Sequence, residues 1–288
     1  MYGAGSVLQG MFYMYREKLF DKNFVRIDKS DRQLILYEVQ DSLSITTETD
    51  CLMSFPNELC ITLMDKKSIL VNLSCEDASA WLHDILKYTL AGIATNIAEV
   101  RCVAKNKKLN IVIMKQDGSV HSPDVKHEFL IVKLLNGGEE YALDLSGSQY
   151  GYFEPVIPLT RYLQSRVENL VAREQFNYFG GTRDRLVSLT EHPMASEIIT
   201  GVDVESSRVL MYGTKIWENE CNMSILSLLK LPLREFREKE GLLVNSVADI
   251  LGKFHDWLRE KAENHKAKVE EAIASGGHGQ IKSKQDKY

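Results

Sequence analysis

His127 and Asp144 are the residues whose types and spacing most readily do chemistry in this chain. The run that joins them, HEFLIVKLLNGGEEYALD, reads as two strands around a turn at Asn136-Gly137-Gly138. Asn-Gly between apolar runs is a strong hairpin signal. A hairpin turning there sets His127, at the start of its first strand, across from Asp144, near the end of its second. A carboxylate at an imidazole nitrogen fixes the ring tautomer and stabilises the imidazolium. To become a catalyst the pair needs a nucleophile. Cys75 is the best candidate. It precedes Glu76 and Asp77 at the head of a helical pattern, where the helix dipole favours negative charge. Cys102 sits in an apolar strand context, where a small buried cysteine is the common case. Cys51 and Cys60 fall in the first third of the chain, and Cys221 follows the histidine. A single histidine at a strand start is also a frequent structural residue, so a satisfied, non-catalytic His127 stands beside the catalytic reading.

The elements that must position these residues read as follows. Met11–Tyr15, Asn23–Asp28 and Gln33–Val39 are short β-forming runs. Leu59–Met64 and Ser68–Leu73 flank Asp65-Lys66-Lys67 and read as a hairpin. Ser74 then caps a helix whose Ala78, Trp81, Leu82, Ile85 and Leu86 make one apolar face, with Gly92 as its stop. Asn96–Val103 and Leu109–Met114 read as strands around Lys105-Asn106-Lys107, and 116–126 as a loop. After the His-Asp hairpin, Gly147 and Gly151 mark turns of positive φ. Leu159–Phe176 is an amphipathic helix. Residues 180–222 show no clear period, with a turn at His192-Pro193. A short helix is expected at Met223–Lys230. A longer one starts at Ser246, with a capping-box-like Ser246-Val247-Ala248-Asp249, and ends at Gly276-Gly277.

Three resemblances follow from these residues. QGMFY, LFDKNFVRI, DRQLILYEV and LCITLMDKKSILVNLSCEDASAWLHDIL resemble the strands and C-terminal helix of a pleckstrin-homology domain, with Trp81 at the family's characteristic tryptophan. The resemblance implies an antiparallel β-barrel over residues 1–92. It also implies a protein or phosphoinositide headgroup as partner. Arg16, Lys18, Lys22 and Arg26 are the residues that would meet phosphates, by charge-assisted bonds. The His-Asp hairpin, for its part, resembles papain-like and transglutaminase-like acyl-transfer sites. It also resembles a domain of uncharacterised fungal proteins with a DLxGxQYG and EPVxP run, matched here by Asp144, Leu145, Gly147, Gln149, Tyr150, Gly151, Glu154, Pro155, Val156 and Pro158. That last likeness implies no activity.

Composition bounds the rest. The 288 residues leave room for about two domains. A net charge of −5 gives no bulk drive toward nucleic acid. The five cysteines form no CxxC pair, so neither a structural zinc nor another metal or cofactor is expected. An odd cysteine count fits reduced thiols in the cytoplasm. No apolar run reaches the ~18 residues that span a bilayer, which leaves peripheral membrane contact as the membrane option. The N-terminal stretch lacks a basic n-region, so no secretory signal is expected.

The expected architecture is α+β. A PH-like module covers 1–92, a hairpin-centred middle domain 95–190 and a helical region 191–275, with a disordered basic tail at 276–288. Two functions follow. One is a non-enzymatic interaction or recruitment protein that works through the PH-like module. The alternative is a cysteine acyl-transfer enzyme with Cys75 as nucleophile, His127 as base and Asp144 as orienter.

Overall fold

A computed structural model describes residues 1–39, 53–121, 126–171, 178–188 and 194–274. Cys51, Ser122, Pro123, Phe176, the His192-Pro193 turn, Gly276-Gly277 and the 276–288 tail lie outside the described residues.

The chain opens with a helix, α1 (Tyr2–Lys18). The expected strand at Met11–Tyr15 lies inside it. Eleven of its residues are buried, among them Val7, Leu8, Met11, Phe12 and Tyr15. A helix that is apolar on most sides carries no clean 3.6-residue stripe, and its aromatic and β-branched residues then read as strand. Two paired strands follow, β1 (Phe24–Ser30) and β2 (Gln33–Glu38).

The expected hairpin at Leu59–Leu73 is also replaced, by α2 (Leu63–Leu70). Thr62 caps it: its hydroxyl accepts from the Asp65 N–H, and the Asp65 carboxylate accepts from the Thr62 N–H. This is a capping box, and it places Asp65-Lys66-Lys67 in a helix instead of a turn. With residues 2–18 and 63–70 helical, the described part of the first ninety residues supplies β1 and β2 to a sheet, and no antiparallel barrel closes there. The expected helix from Ser74 is present as α3 (Cys75–Trp81) and α4 (His83–Leu90), broken at Leu82. Gly92, with φ +77°, ends the run.

The middle of the chain builds β3 (Ala94–Ala104), β4 (Asn110–Met114), β5 (Val120–His121), β6 (His127–Leu134), β7 (Glu140–Leu143) and β8 (Val156–Pro158). After them come α5 (Leu159–Arg166) and β9 (Val167–Val171). The helix expected to start at Leu159 therefore ends at Arg166 and gives way to a strand. β3 and β4 do not pair with each other. β4 runs parallel to β2, with Gln33 opposite Asn110, in a sheet of order β1-β2-β4-β5. β3 joins a curled antiparallel sheet of order β8-β7-β6-β3-β9.

The last part is helical, as expected: α6 (Gly181–Ser188), α7 (Met194–Cys221), α8 (Ile225–Leu228) and α9 (Leu233–Ala274). The stretch without a readable period is mostly α6 and α7, and α9 begins thirteen residues before the capping box that was expected to start it. The chain is α+β. One buried apolar cluster takes side chains from α1, α3, α4, β6, β7, α7 and α9, with Leu8, Trp81, Leu86, Leu130, Leu143, Trp217 and Leu251 among them. A smaller cluster of Cys102, Phe129, Ala142, Ile157, Tyr162 and Val167 forms beneath α5. No helix among the described residues is long and apolar enough to cross a membrane.

Candidate active site

His127 starts β6 and Asp144 directly follows β7, so both lie at one end of the curled sheet. The ladder pairs Leu130 with Leu143 and Lys133 with Glu140. In that register Asp144 is a diagonal neighbour of His127 on the same face, not its direct opposite. The diagonal still closes the contact: His127 Nε2 lies 3.1 Å from Asp144 Oδ1. Neither atom has an aligned hydrogen bond, so the contact is an ion pair held by proximity and charge.

Cys75 arrives from the other side. It is the first residue of α3, and α3 packs against β6. Because the described part of the first ninety residues does not close into a separate barrel, the helix that Trp81 anchors in the main core also delivers its N-terminal cysteine to the sheet. The thiol is 3.7 Å from the Lys126 carbonyl oxygen, one residue before His127, and that is its aligned hydrogen bond. It also lies near enough to the imidazole to favour the ring's protonated form. Cys75, His127 and Asp144 are 3%, 1% and 2% exposed, so the constellation is shut off from solvent.

Burial alone would lower the pKa of His127. The Asp144 carboxylate outweighs it, and with Cys75 contributing, the ring is pushed up to about 10. For Asp144 burial pushes upward, and the His127 charge overcomes it and holds the carboxyl below its ordinary value. An opposite charge in low dielectric favours both charged forms. Asp144 has further support. Tyr162 donates its hydroxyl to Oδ2 at 2.8 Å, and Arg166 adds a favourable charge. A Cβ at Gly147 would lie 2.7 Å from Oδ2 and 3.1 Å from the Tyr152 carbonyl oxygen. Gly147 is therefore glycine for lack of room and has no positive φ, whereas Gly151, at φ +79°, does adopt the expected left-handed turn.

α3 is fixed by the carboxylates of its first turn. Glu76 pairs with Arg101 on β3 and Arg185 on α6. Arg101 also reaches Glu128, the neighbour of His127, at 3.1 Å. Asp77 pairs with Arg16 of α1 at 3.1 Å. Glu99 on β3 accepts from the backbone N–H groups of Gly180 and Thr182, at 2.7 and 2.8 Å, and so caps α6. None of these links was expected from sequence. Arg101, Glu128 and Glu99 read as ordinary alternating strand residues, and only their near-complete burial sets Glu99 and Glu128 apart.

Gln149 belongs to the run that matches DLxGxQYG. It lies in a 3-10 turn, Gly147–Tyr150, and its side chain crosses the site. Oε1 accepts from the Leu73 N–H at 3.2 Å, and Nε2 is 3.4 Å from His127 Nδ1. Tyr150 meets the ring edge-on at 5.1 Å. Cys102, opposite His127 in the β3–β6 register, is fully buried, and burial pushes its thiol up to about 12. That leaves it as a packing residue. Cys60 and Cys221 belong to other parts of the fold.

The four basic residues expected to meet a phosphoinositide do not form one surface. Arg16 is buried, and its guanidinium binds the Leu70 carbonyl oxygen, Asp21 and Asp77. Lys22 is half-buried and donates to the Asn72 carbonyl oxygen. Lys18 is half-buried beside Gly252 of α9. Arg26 is exposed on β1, paired with Asp28 and stacked over Tyr37. Among the described residues no cluster of three or more His, Cys, Asp or Glu side chains is placed to hold a metal ion.

Comparison with family models, with curated proteins and with solved structures finds no match for the chain.

Proposed function

We propose that this protein is a cysteine-dependent acyl-transfer enzyme, a hydrolase or transferase acting on an amide or ester. One observation carries this reading. A cysteine at the first residue of a helix neighbours a histidine whose Nε2 lies beside a buried, hydrogen-bonded carboxylate. Those three roles, nucleophile, base and orienter, are what nucleophilic catalysis by a thiol requires.

In the first half-reaction Cys75 gives its proton to His127. Its sulfur adds to the substrate carbonyl carbon and forms a C–S bond. The bond from that carbon to the leaving nitrogen or oxygen breaks, and His127 gives its proton to the departing group. In the second half, water or an amine attacks the thioester carbon while His127 takes the attacking proton. The C–S bond breaks and Cys75 leaves as thiolate. Asp144 stabilises the imidazolium in both halves and remains a carboxylate throughout.

The test is alkylation of Cys75 by iodoacetamide at neutral pH, read by mass spectrometry on the intact chain. The expected result is labelling at Cys75 that falls at least about tenfold in His127→Ala, the loss typical of removing a positioned base. Labelling that does not depend on His127 would overturn the proposal.

A further inference from the structure

Cys75 and His127 each stand one residue before a carboxylate, and the two carboxylates hold the same guanidinium. Glu76 follows Cys75 at the start of α3, and Glu128 follows His127 at the start of β6. Arg101 of β3 donates from Nε to Glu128 Oε2 at 3.1 Å and from Nη2 to Glu76 Oε1.

The sheet sets Arg101 up for this. In the β3–β6 ladder it lies directly opposite Glu128, as Cys102 lies opposite His127. Neighbouring residues of a strand point to opposite faces. One face of the strand end therefore carries the imidazole and the other carries the bridge. The Glu128 side chain is fully buried, and a buried carboxylate that loses its partner is costly. Its second oxygen, Oε1, lies 2.6 Å from the Thr182 hydroxyl of α6. Glu128 is thus fixed from two sides, and the Arg101 fork extends that anchorage to Glu76.

The thiol has a weaker hold of its own. It donates to the Lys126 carbonyl oxygen at 3.7 Å, and a thiol is a weak donor. The Ser74 side chain makes no capping bond to α3. The place of Cys75 therefore depends on what anchors the first turn of the helix. Asp77 is tied to Arg16 of α1, and Glu76 to Arg185 of α6 and to Arg101. Of these three arginines, Arg101 is the one also bonded to the strand that carries His127.

We infer that Arg101 is a positioning residue for the Cys75–His127 couple. By holding Glu76 and Glu128 in one fork, it sets where the thiol stands against the imidazole. It acts through the two carboxylates and not on the reacting atoms. The task suits arginine: its donors lie in a rigid plane and serve two carboxylates at a fixed spacing, whereas an ammonium on a flexible stem is a point charge. A misplacement of about 1 Å at a reacting couple costs about 100-fold in rate. The inference rests on the acyl-transfer reading of Cys75 and His127, and its test separates the two.

The rate of Cys75 alkylation by iodoacetamide at neutral pH is measured in the full-length protein and divided by the rate in the same background with His127→Ala. The ratio isolates the help that the imidazole gives the thiol. A change in thiol exposure or acidity that does not pass through His127 cancels in it, so a merely structural role leaves it unmoved. Wild type, Arg101→Lys, Glu76→Ala and Arg185→Ala are compared. Arg101→Lys keeps the charge beside Glu128 and loses the fork. Glu76→Ala removes the α3 end of the bridge and leaves the buried Arg101–Glu128 pair intact, so it serves if the lysine variant does not fold. Arg185→Ala removes the other partner of Glu76 and leaves the bridge. The expected ratio is about ten or more in wild type and Arg185→Ala, and it falls about tenfold, toward one, in Arg101→Lys and Glu76→Ala. A ratio that keeps its wild-type value in either Arg101→Lys or Glu76→Ala overturns the positioning role and leaves the acyl-transfer reading standing. A ratio that falls as far in Arg185→Ala as in Glu76→Ala also overturns it, because α6 and not β6 would then place Cys75. A ratio of one in wild type overturns the acyl-transfer reading and the role of Arg101 with it.

Discussion

His127 Nε2 stands 3.1 Å from Asp144 Oδ1, although the two are not opposite each other in the ladder. Asp144 lies just past the end of β7 and reaches diagonally to the histidine. Its register with β6 alone does not hold it there. What holds it is local: the Tyr162 hydroxyl on Oδ2, the absence of a side chain at Gly147, and its own N–H bonded to the Pro155 carbonyl at 2.8 Å. The contact with His127 therefore depends on the charge of Asp144 and on how well that carboxylate is placed.

Asp144→Asn tests the charge. Asparagine keeps the shape and removes the attraction that raises His127. Neutral-pH alkylation of Cys75 is expected to drop about tenfold or more, and the pH at which the rate half-rises is expected to move, because the ring no longer has a carboxylate to stabilise its proton. An unchanged pH–rate profile would remove Asp144 from the chemistry.

Tyr162→Phe tests the placement. The hydroxyl is buried and donates only to Asp144, and its loss leaves Oδ2 short of a partner inside the protein. The expected cost is about 1–3 kcal/mol of stability, read from urea denaturation, together with slower labelling of Cys75. If stability fell while labelling held, Tyr162 would be a core residue with no part in placing Asp144.

Gly147→Ala asks the same question by steric means. The added methyl would sit 2.7 Å from Asp144 Oδ2, with the Tyr152 carbonyl behind it. The backbone cannot give way on both sides, so the carboxylate turns away. Overpacking of this kind costs about 1–3 kcal/mol. Cys75 labelling is expected to fall toward the Asp144→Asn level. A folded Gly147→Ala protein that labels like wild type would show the room to be larger than the geometry gives.

Much of this site is legible in the sequence because it is local. Asn136-Gly137-Gly138 sets the hairpin, and the hairpin brings Asp144 within a diagonal of His127. Ser74 with Glu76 and Asp77 marks where α3 begins and so where Cys75 sits. What the sequence hides is how the two halves meet. α1 is apolar on most sides, and β-forming residues inside a buried helix look like strand residues. α2 carried its own marker in Thr62 and Asp65, and the charged Asp65-Lys66-Lys67 that reads as a turn lies within its turns. With both segments taken as strands, Cys75 is assigned to a separate barrel. With both as helices, it belongs to the sheet that carries His127. Gln149 shows a harder limit, since its partner is Leu73, seventy-six residues away in the chain, and no pattern within either segment announces the contact.

Arg16 distinguishes a binding surface from a strut. Its guanidinium joins α1 to Asp77 on α3 and to Asp21, and it is buried. Arg16→Ala leaves those carboxylates without their buried partner and is expected to cost about 3–5 kcal/mol. Arg26→Ala, on the exposed face of β1, is expected to stay within about 0.5 kcal/mol. Chemical denaturation of the two variants checks both figures. An Arg16→Ala protein as stable as wild type would return Arg16 to the set of residues free to meet a phosphate.

The same network predicts how stability varies with pH. Asp203 of α7 is buried and accepts from the Tyr15 hydroxyl at 2.8 Å. Burial pushes its carboxyl from 3.8 up to about 8, with Asp77 and Asp21 adding repulsion that Arg16 and the Tyr15 hydrogen bond only partly relieve. The folded protein thus holds this proton more tightly than the unfolded chain does. The stability it contributes is fully present below the unfolded value and is lost as pH rises through the folded one. Wild-type stability is therefore expected to decline between about pH 4 and pH 8 by the share that Asp203 owns. Asp203→Asn keeps the acceptor for Tyr15 and carries no titrating proton. It is expected to match wild type at the acid end and to exceed it above neutrality, with a melting temperature higher by a few degrees, about 2–4 °C for each kcal/mol. Thermal melts of both proteins across that range check it. A constant difference between them at every pH would mean that Asp203 keeps an ordinary carboxyl in the fold and that Arg16 neutralises it.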